Sequence, residues 1–222
     1  MKLIAAIIAL TVAAILAPLL FVMVGDAPPT APAEGLPWQV EVLPDGATRV
    51  FGLVPGASTI DDARRRFGPD MQLAIVAAPG QPGSLEAYFE SVTMGYVTGK
   101  LILTAEMDAE TVARMRERAA KAEFMESTTR RYTLAADDGA SALAAAIRAI
   151  TFIPSANLDA DVIVERFGTP AERVRSAEHI EHFLYPERGL DLALDSKGKE
   201  VLQYVAPREF GRLREPLRGA AQ

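Results

Sequence analysis

Histidine, serine and carboxylate side chains are the groups from which this 222-residue chain could assemble chemistry, because it contains no cysteine. Its two histidines fall together in the segment EHIEHF, residues 178–183. With Glu178 or Glu181 they would suggest a metal site. The segment reads as a strand, however, and alternate side chains of a strand face opposite sides. His179 and His182 are therefore expected on opposite faces, and His179 with Glu181 leaves a metal short of ligands. The helical zinc signature His-Glu-x-x-His and its inverse are absent. No metal and no cofactor is expected.

The other reactive residue types fare similarly. Ser58, Ser141 and Ser155 lie outside any Gly-x-Ser-x-Gly elbow, and no serine–histidine–acid order is recognisable. Asp61-Asp62 and Asp137-Asp138 are adjacent carboxylates, but both open helix-like segments, where carboxylates bond the first free N–H groups. PGAS (55–58) and GQPGS (80–84) read as turns without the Lys-Ser/Thr of a phosphate loop. Trp38 reads as a packed residue at the start of a strand. No catalytic residue is expected, and the chain reads as non-enzymatic. Two alternatives remain open. One is a hydrolase with two acids facing one cleft about 5–10 Å apart, and the other is a small-ligand sensor. A formal charge of −6 excludes the basic footprint of a nucleic-acid binder.

The elements that would position these residues follow from periodicity and punctuation. Residues 38–54 read as two short β runs around Pro44-Asp45-Gly46, a hairpin signal. Ser58 or Thr59 caps a helix with Ile60, Ala63 and Phe67 on one face, stopped by Gly68-Pro69. Strands follow at 71–77, 84–92 and 99–107. Asp108 caps a helix, 128–135 is a strand, and Asp137 or Asp138 caps the Ala-rich run to Ile150. Residues 150–170 then give a strand, a capped helix and a Phe-Gly stop, with further strands from Ala171 to Pro207. RRRFGPD (64–70) is echoed by ERFGTPA (165–171). Aligning Phe67 with Phe167 also aligns Asp61 with Asp161, Arg66 with Arg166 and Gly68 with Gly168, which favours a duplicated unit.

From Leu3 to Val24 the chain carries no charged residue. At about 1.5 Å per residue this run matches a hydrocarbon core of about 30 Å. Lys2 precedes it and Asp26 follows, so the positive-inside bias puts the N-terminus in the cytoplasm and the body outside. The expected organisation is a transmembrane anchor at 1–24, a Pro-rich linker at 25–37, α+β modules at 38–126 and 127–208, and a solvated tail at 209–222. The fold class expected is thus α+β, an N-terminal transmembrane helix followed by two small helix-plus-antiparallel-meander modules. The location expected is the bacterial inner membrane, single pass, with a periplasmic body.

The repeated pattern resembles the BamE/SmpA type of outer-membrane assembly lipoprotein module and the related tandem fold of β-lactamase inhibitor protein. The residues that carry it are Val54-Pro55-Gly56, Thr59 to Asp62 and Phe67-Gly68-Pro69 in the first half. In the second half they are Ile153-Pro154, Asp159 to Asp161, Phe167-Gly168-Thr169-Pro170 and the meander at 185–205. The resemblance implies a scaffolding or binding module whose partner is another envelope or inner-membrane protein. The outer row of the meander is the candidate surface. With Leu85, Ala87 and Phe89 inward, Glu86, Tyr88 and Glu90 face outward. Neighbouring strands are expected to add Phe183, Tyr185 and Tyr204, rings among acids that suit a basic partner.

Overall fold

Two short helices show how the echoed segments fold. The computed structural model describes residues 33–125 and 128–219, and residues 34–222 form one compact unit. Helix α1 (Ile60–Phe67) opens on a reciprocal cap, in which Asp62 N–H donates to Thr59 Oγ1 at 3.2 Å and Thr59 N–H donates to Asp62 Oδ2 at 2.7 Å. The Thr59 N–H, with its hydroxyl, holds the Asp62 carboxyl below the usual carboxylate range. Helix α1 ends where Gly68 adopts φ 101° and donates to the Arg64 carbonyl. Helix α2 (Ala109–Glu117) is capped by Asp108, which accepts from Thr111 N–H at 2.8 Å. Helix α3 (Gly139–Ala144) is short. Helix α4 (Ala160–Phe167) repeats α1, with Asp159 accepting from Val162 N–H at 2.8 Å and Gly168 at φ 81°.

Ten strands form one antiparallel sheet. In spatial order they are β6 (Lys121–Phe124), β7 (Arg130–Thr133), β3 (Gln72–Ala77), β4 (Ser84–Met94), β5 (Val97–Ala105), β8 (Ile147–Pro154), β12 (Val201–Val205), β11 (Leu190–Asp195), β10 (Ile180–Tyr185) and β9 (Glu172–Ala177). A separate hairpin, β1 (Glu41–Val42) and β2 (Thr48–Arg49), turns at Pro44-Asp45-Gly46. Helices α1 to α4 all pack on one face, where Ile60, Ala63, Val112, Met115, Ala142, Ile163 and Phe167 join the inward rows of the strands in one core. Helix α5 (Gly211–Arg218) packs on the other face. There Leu217 and the preceding Phe210 cover Leu184 and Val205. The C-terminal segment is therefore docked, not a solvated tail, because Phe210, Leu213 and Leu217 share one side despite Pro216 within the helix.

This overturns the expected fold class. The chain is mostly β, with five helices among the described residues, and it is not a pair of separate meanders. The cause is the pairing of β5 with β8, in register from Gly99↔Pro154 to Thr104↔Ala149 and continuing, after a bulge, at Ala105↔Ile147. Two modules would each leave a strand edge of unpaired N–H and C=O groups. Joining those edges makes one sheet and one core. At Gly99 a side chain has no room, since a Cβ would lie 2.5 Å from the Ile153 carbonyl and 2.6 Å from the Phe152 ring. The Ala-rich run also differs from expectation. Helix α3 stops at Ala144 and Ile147 onward is strand. Asp138 makes no cap, its carboxylate instead meeting Arg118 at 2.5 Å.

The membrane reading is corrected as well. Among the described residues no helix is long and apolar enough to cross a membrane. A single-pass inner-membrane protein therefore has no support in the structure and is set aside. The run at 3–24 on which it rested lies outside the described residues.

The echoed phenylalanines are not equivalent. Phe167 is 1% exposed, whereas Phe67 is only partly buried against Phe89. Truncating a buried Phe costs about 3–5 kcal/mol. Phe167→Ala is expected to lose that much in urea unfolding, and Phe67→Ala distinctly less. Equal losses would contradict this packing.

Candidate functional site

Among the described residues, the face opposite α1–α4 is covered by α5 at its β8–β12–β11–β10–β9 end, over Ala149, Val174, Leu184 and Val205, and is otherwise open. Elsewhere the outward row runs in register from Gln72 through Tyr88, Ile102 and Thr151 to Gln203. The next row holds Ala74, Glu86, Thr104 and Ala149. Tyr88, Ile102, Thr151, Glu86 and Thr104 are half-buried, as befits a sheet face open to solvent, whereas Ala149 packs against the α5 cluster.

Charge on this face is unevenly matched. Lys100 Nζ lies 2.9 Å from Glu90 and 6.0 Å from the centre of the Tyr88 ring, and the Tyr88 hydroxyl donates to Glu90. These three groups satisfy one another. Glu86 accepts from the Ser84 hydroxyl at 2.8 Å and forms no ion pair among the described residues. Burial between neighbouring strands pushes its carboxyl above the usual carboxylate range, against the opposing effect of Ser84. A cation delivered by a partner would relieve that penalty.

Of the six residues expected on this face, Glu86, Tyr88 and Glu90 are there, and a bulge between Phe89 and Val92 turns Glu90 and Ser91 both outward. Phe183, Tyr185 and Tyr204 belong to the core instead, at 0%, 5% and 0% exposure. Tyr204 donates to the Pro37 carbonyl at 2.8 Å, and Tyr185 to the Gly168 carbonyl at 2.9 Å. Burial raises both phenols, that of Tyr204 strongly. The expected phase was inverted because β10 and β12 alternate less cleanly than β4. Leu184 and Val205, which face outward, are buried by α5 and so mimic inward positions.

That same inversion hid a second constellation. With Phe183 inward, His182 faces outward, between Ser176 on β9 and Asp191 on β11. Ser176 Oγ lies 2.9 Å from His182 Nε2, and His182 Nδ1 lies 3.0 and 2.9 Å from the two Asp191 oxygens. No local motif spells this group. Placing the three residues on one outward face of the meander would have found it.

The remaining candidates have structural posts. His179 is 3.9 Å from Asp195, while Glu181 is held by Arg173 at 2.9 Å, so the two do not converge. No cluster of three or more metal-ligating side chains occurs among the described residues. Ser58 Oγ accepts from Val54 N–H, and Asp61 pairs with Arg64 and Arg65. Trp38 packs edge-on against Phe167 at 6.0 Å, with Arg166 over its ring.

No known family, no curated protein and no solved structure matches this chain.

The raised Glu86 carboxyl has a signed consequence for stability. The folded chain holds this proton more tightly than the unfolded one, so the associated stability is complete below the ordinary value of 4.5. It is lost as pH rises through the raised value. Glu86→Gln escapes that loss. Its melting temperature is expected to exceed wild type at pH 7, with the gap closing toward pH 4. An equal gap at both pH values would contradict the burial effect.

Proposed function

We propose that this chain is a protein-binding module of the scaffolding or accessory-subunit kind, which holds a basic segment of another protein on its open sheet face. The observation that carries the reading is Glu86, a half-buried carboxylate that forms no ion pair among the described residues, beside the Tyr88 ring on the face opposite α1–α4. A Lys or Arg from the partner would neutralise Glu86, and Tyr88 with Ile102 would bury against its stem. The resemblance to the tandem BamE/SmpA-like modules supports the same reading, since such modules act by presenting a sheet and helices to partners.

A photo-crosslinking amino acid placed at Thr151 tests this directly, with the same group at Arg49 on the distant β1–β2 hairpin as control. The expected result is one discrete cross-linked protein from Thr151 alone, joined through a peptide bearing Lys or Arg. Tyr88→Ala is expected to weaken that complex by about 2 kcal/mol, the scale of an interface anchor, and Glu86→Gln to weaken it as well. Identical products from both positions, or no product from Thr151, would reject the face as the binding surface.

A further inference from the structure

Strands β9, β10 and β11 each contribute one polar residue to the group Ser176, His182 and Asp191, which runs diagonally across the strands because His182 itself lies opposite Val174 and Ala193. Asp191 is 3% exposed in its side chain and His182 12%. An ionised carboxylate only accepts hydrogen bonds, so His182 Nδ1 carries the hydrogen directed at Asp191. In the neutral ring Nε2 is then left with its lone pair, and Ser176 Oγ, 2.9 Å away, donates to it. The order is nucleophile, base and orienting acid, the arrangement that activates a hydroxyl.

Access is provided on one side. Ser176 lines a groove of about 710 Å³ between β9 and α5, together with Arg175, Glu178, Arg214 and Arg218. Strand β9 is the last of the sheet, and among the described residues no further strand closes that side. Arg214 is engaged by Glu172 at 2.6 Å, whereas Arg218 makes no ion pair among the described residues. Arg218 therefore adds a cation to the groove lining that Ser176 shares.

The geometry points to Ser176 as a nucleophile toward carboxylic esters, with His182 as its base and Asp191 as the positioning residue. This role goes beyond the binding reading and is independent of it. Ser176 Oγ bonds to the ester carbonyl carbon while its proton passes to His182 Nε2 and the carbonyl π electrons move onto oxygen. Collapse of that intermediate breaks the bond to the alkoxy oxygen, which leaves as an alcohol with the proton from His182. The acyl group stays on Ser176 until a water, giving its proton to the same nitrogen, attacks the carbonyl. The carboxylic acid departs and Ser176 regains its proton. Ester and water are the only reactants.

The test uses the full chain with a fluorophosphonate probe and with 4-nitrophenyl acetate, read by intact mass, peptide mapping and nitrophenol release. One phosphonyl adduct at Ser176 is expected, with fluoride displaced. It should be absent in Ser176→Ala and form about a hundredfold or more slowly in His182→Gln, the scale of a lost general base. Ser176→Ala removes a single oxygen from a half-buried site and is expected to keep its melting temperature. It therefore decides the matter even if His182→Gln unfolds for want of a partner to Asp191. No adduct on the wild-type chain, or ester hydrolysis equally fast in Ser176→Ala, would overturn the proposal. So would labelling of Ser176 at an undiminished rate in a folded His182→Gln.

Discussion

The pairing of β5 with β8 is the interaction on which the rest of the fold depends. It turns what would be two strand edges into the middle of a ten-stranded sheet. On the core side of this seam Phe152 packs against Phe51 at 5.3 Å, and Phe51 packs against Tyr204 of the adjoining β12 at 5.4 Å. Phe51 sits in a tight turn, with Val50 and Leu53 exchanging hydrogen bonds at 2.9 Å, and it adopts φ 54°. A left-handed conformation at a bulky residue costs about 1–3 kcal/mol. Burying that ring, at 1% exposure, offsets it. Tyr204 closes the cluster by donating to Pro37, so the segment before the first hairpin is also tied to the seam.

Continuity of the sheet explains why its two faces differ. All four helices from α1 to α4 return to the same side, so among the described residues only α5 lies on the opposite side. Under and beside α5, polar groups are partly desolvated and must satisfy one another, which is the setting of Ser176, His182 and Asp191. Away from α5 the face is more open, and Glu86 there accepts from the Ser84 hydroxyl and forms no ion pair among the described residues. One end of the face is closed by internal hydrogen bonds, and the other holds a half-buried carboxylate without an ion pair among the described residues. The binding and nucleophilic readings thus occupy different parts of one surface.

Much of the local structure was legible in the sequence. Thr59, Asp108 and Asp159 announced helix starts, Gly68 and Gly168 announced helix ends, and the alternation of Leu85, Ala87 and Phe89 fixed which way Tyr88 faces. What local pattern does not encode is which strand pairs with which. Nothing around Gly99 or Pro154 states that they will lie opposite each other, and so one sheet was read as two meanders. Phase failed for a related reason at Phe183, Tyr185 and Tyr204. A strand covered on both faces carries apolar residues at consecutive positions, as Phe183-Leu184-Tyr185 does, and alternation then no longer identifies the inner row. The Ser176–His182–Asp191 group was lost with that phase, since its members are related only through strand register.

A single sheet with a single core requires that both halves of the chain unfold together. Native-state hydrogen exchange, read at the amides of β4, β5, β8 and β11, tests this most directly. The structure predicts that the slowest amides in all four strands share one opening free energy, equal to the global value from urea unfolding. If the amides of β4 and β5 opened at one free energy and those of β8 and β11 at another, the seam would not be what holds the molecule together.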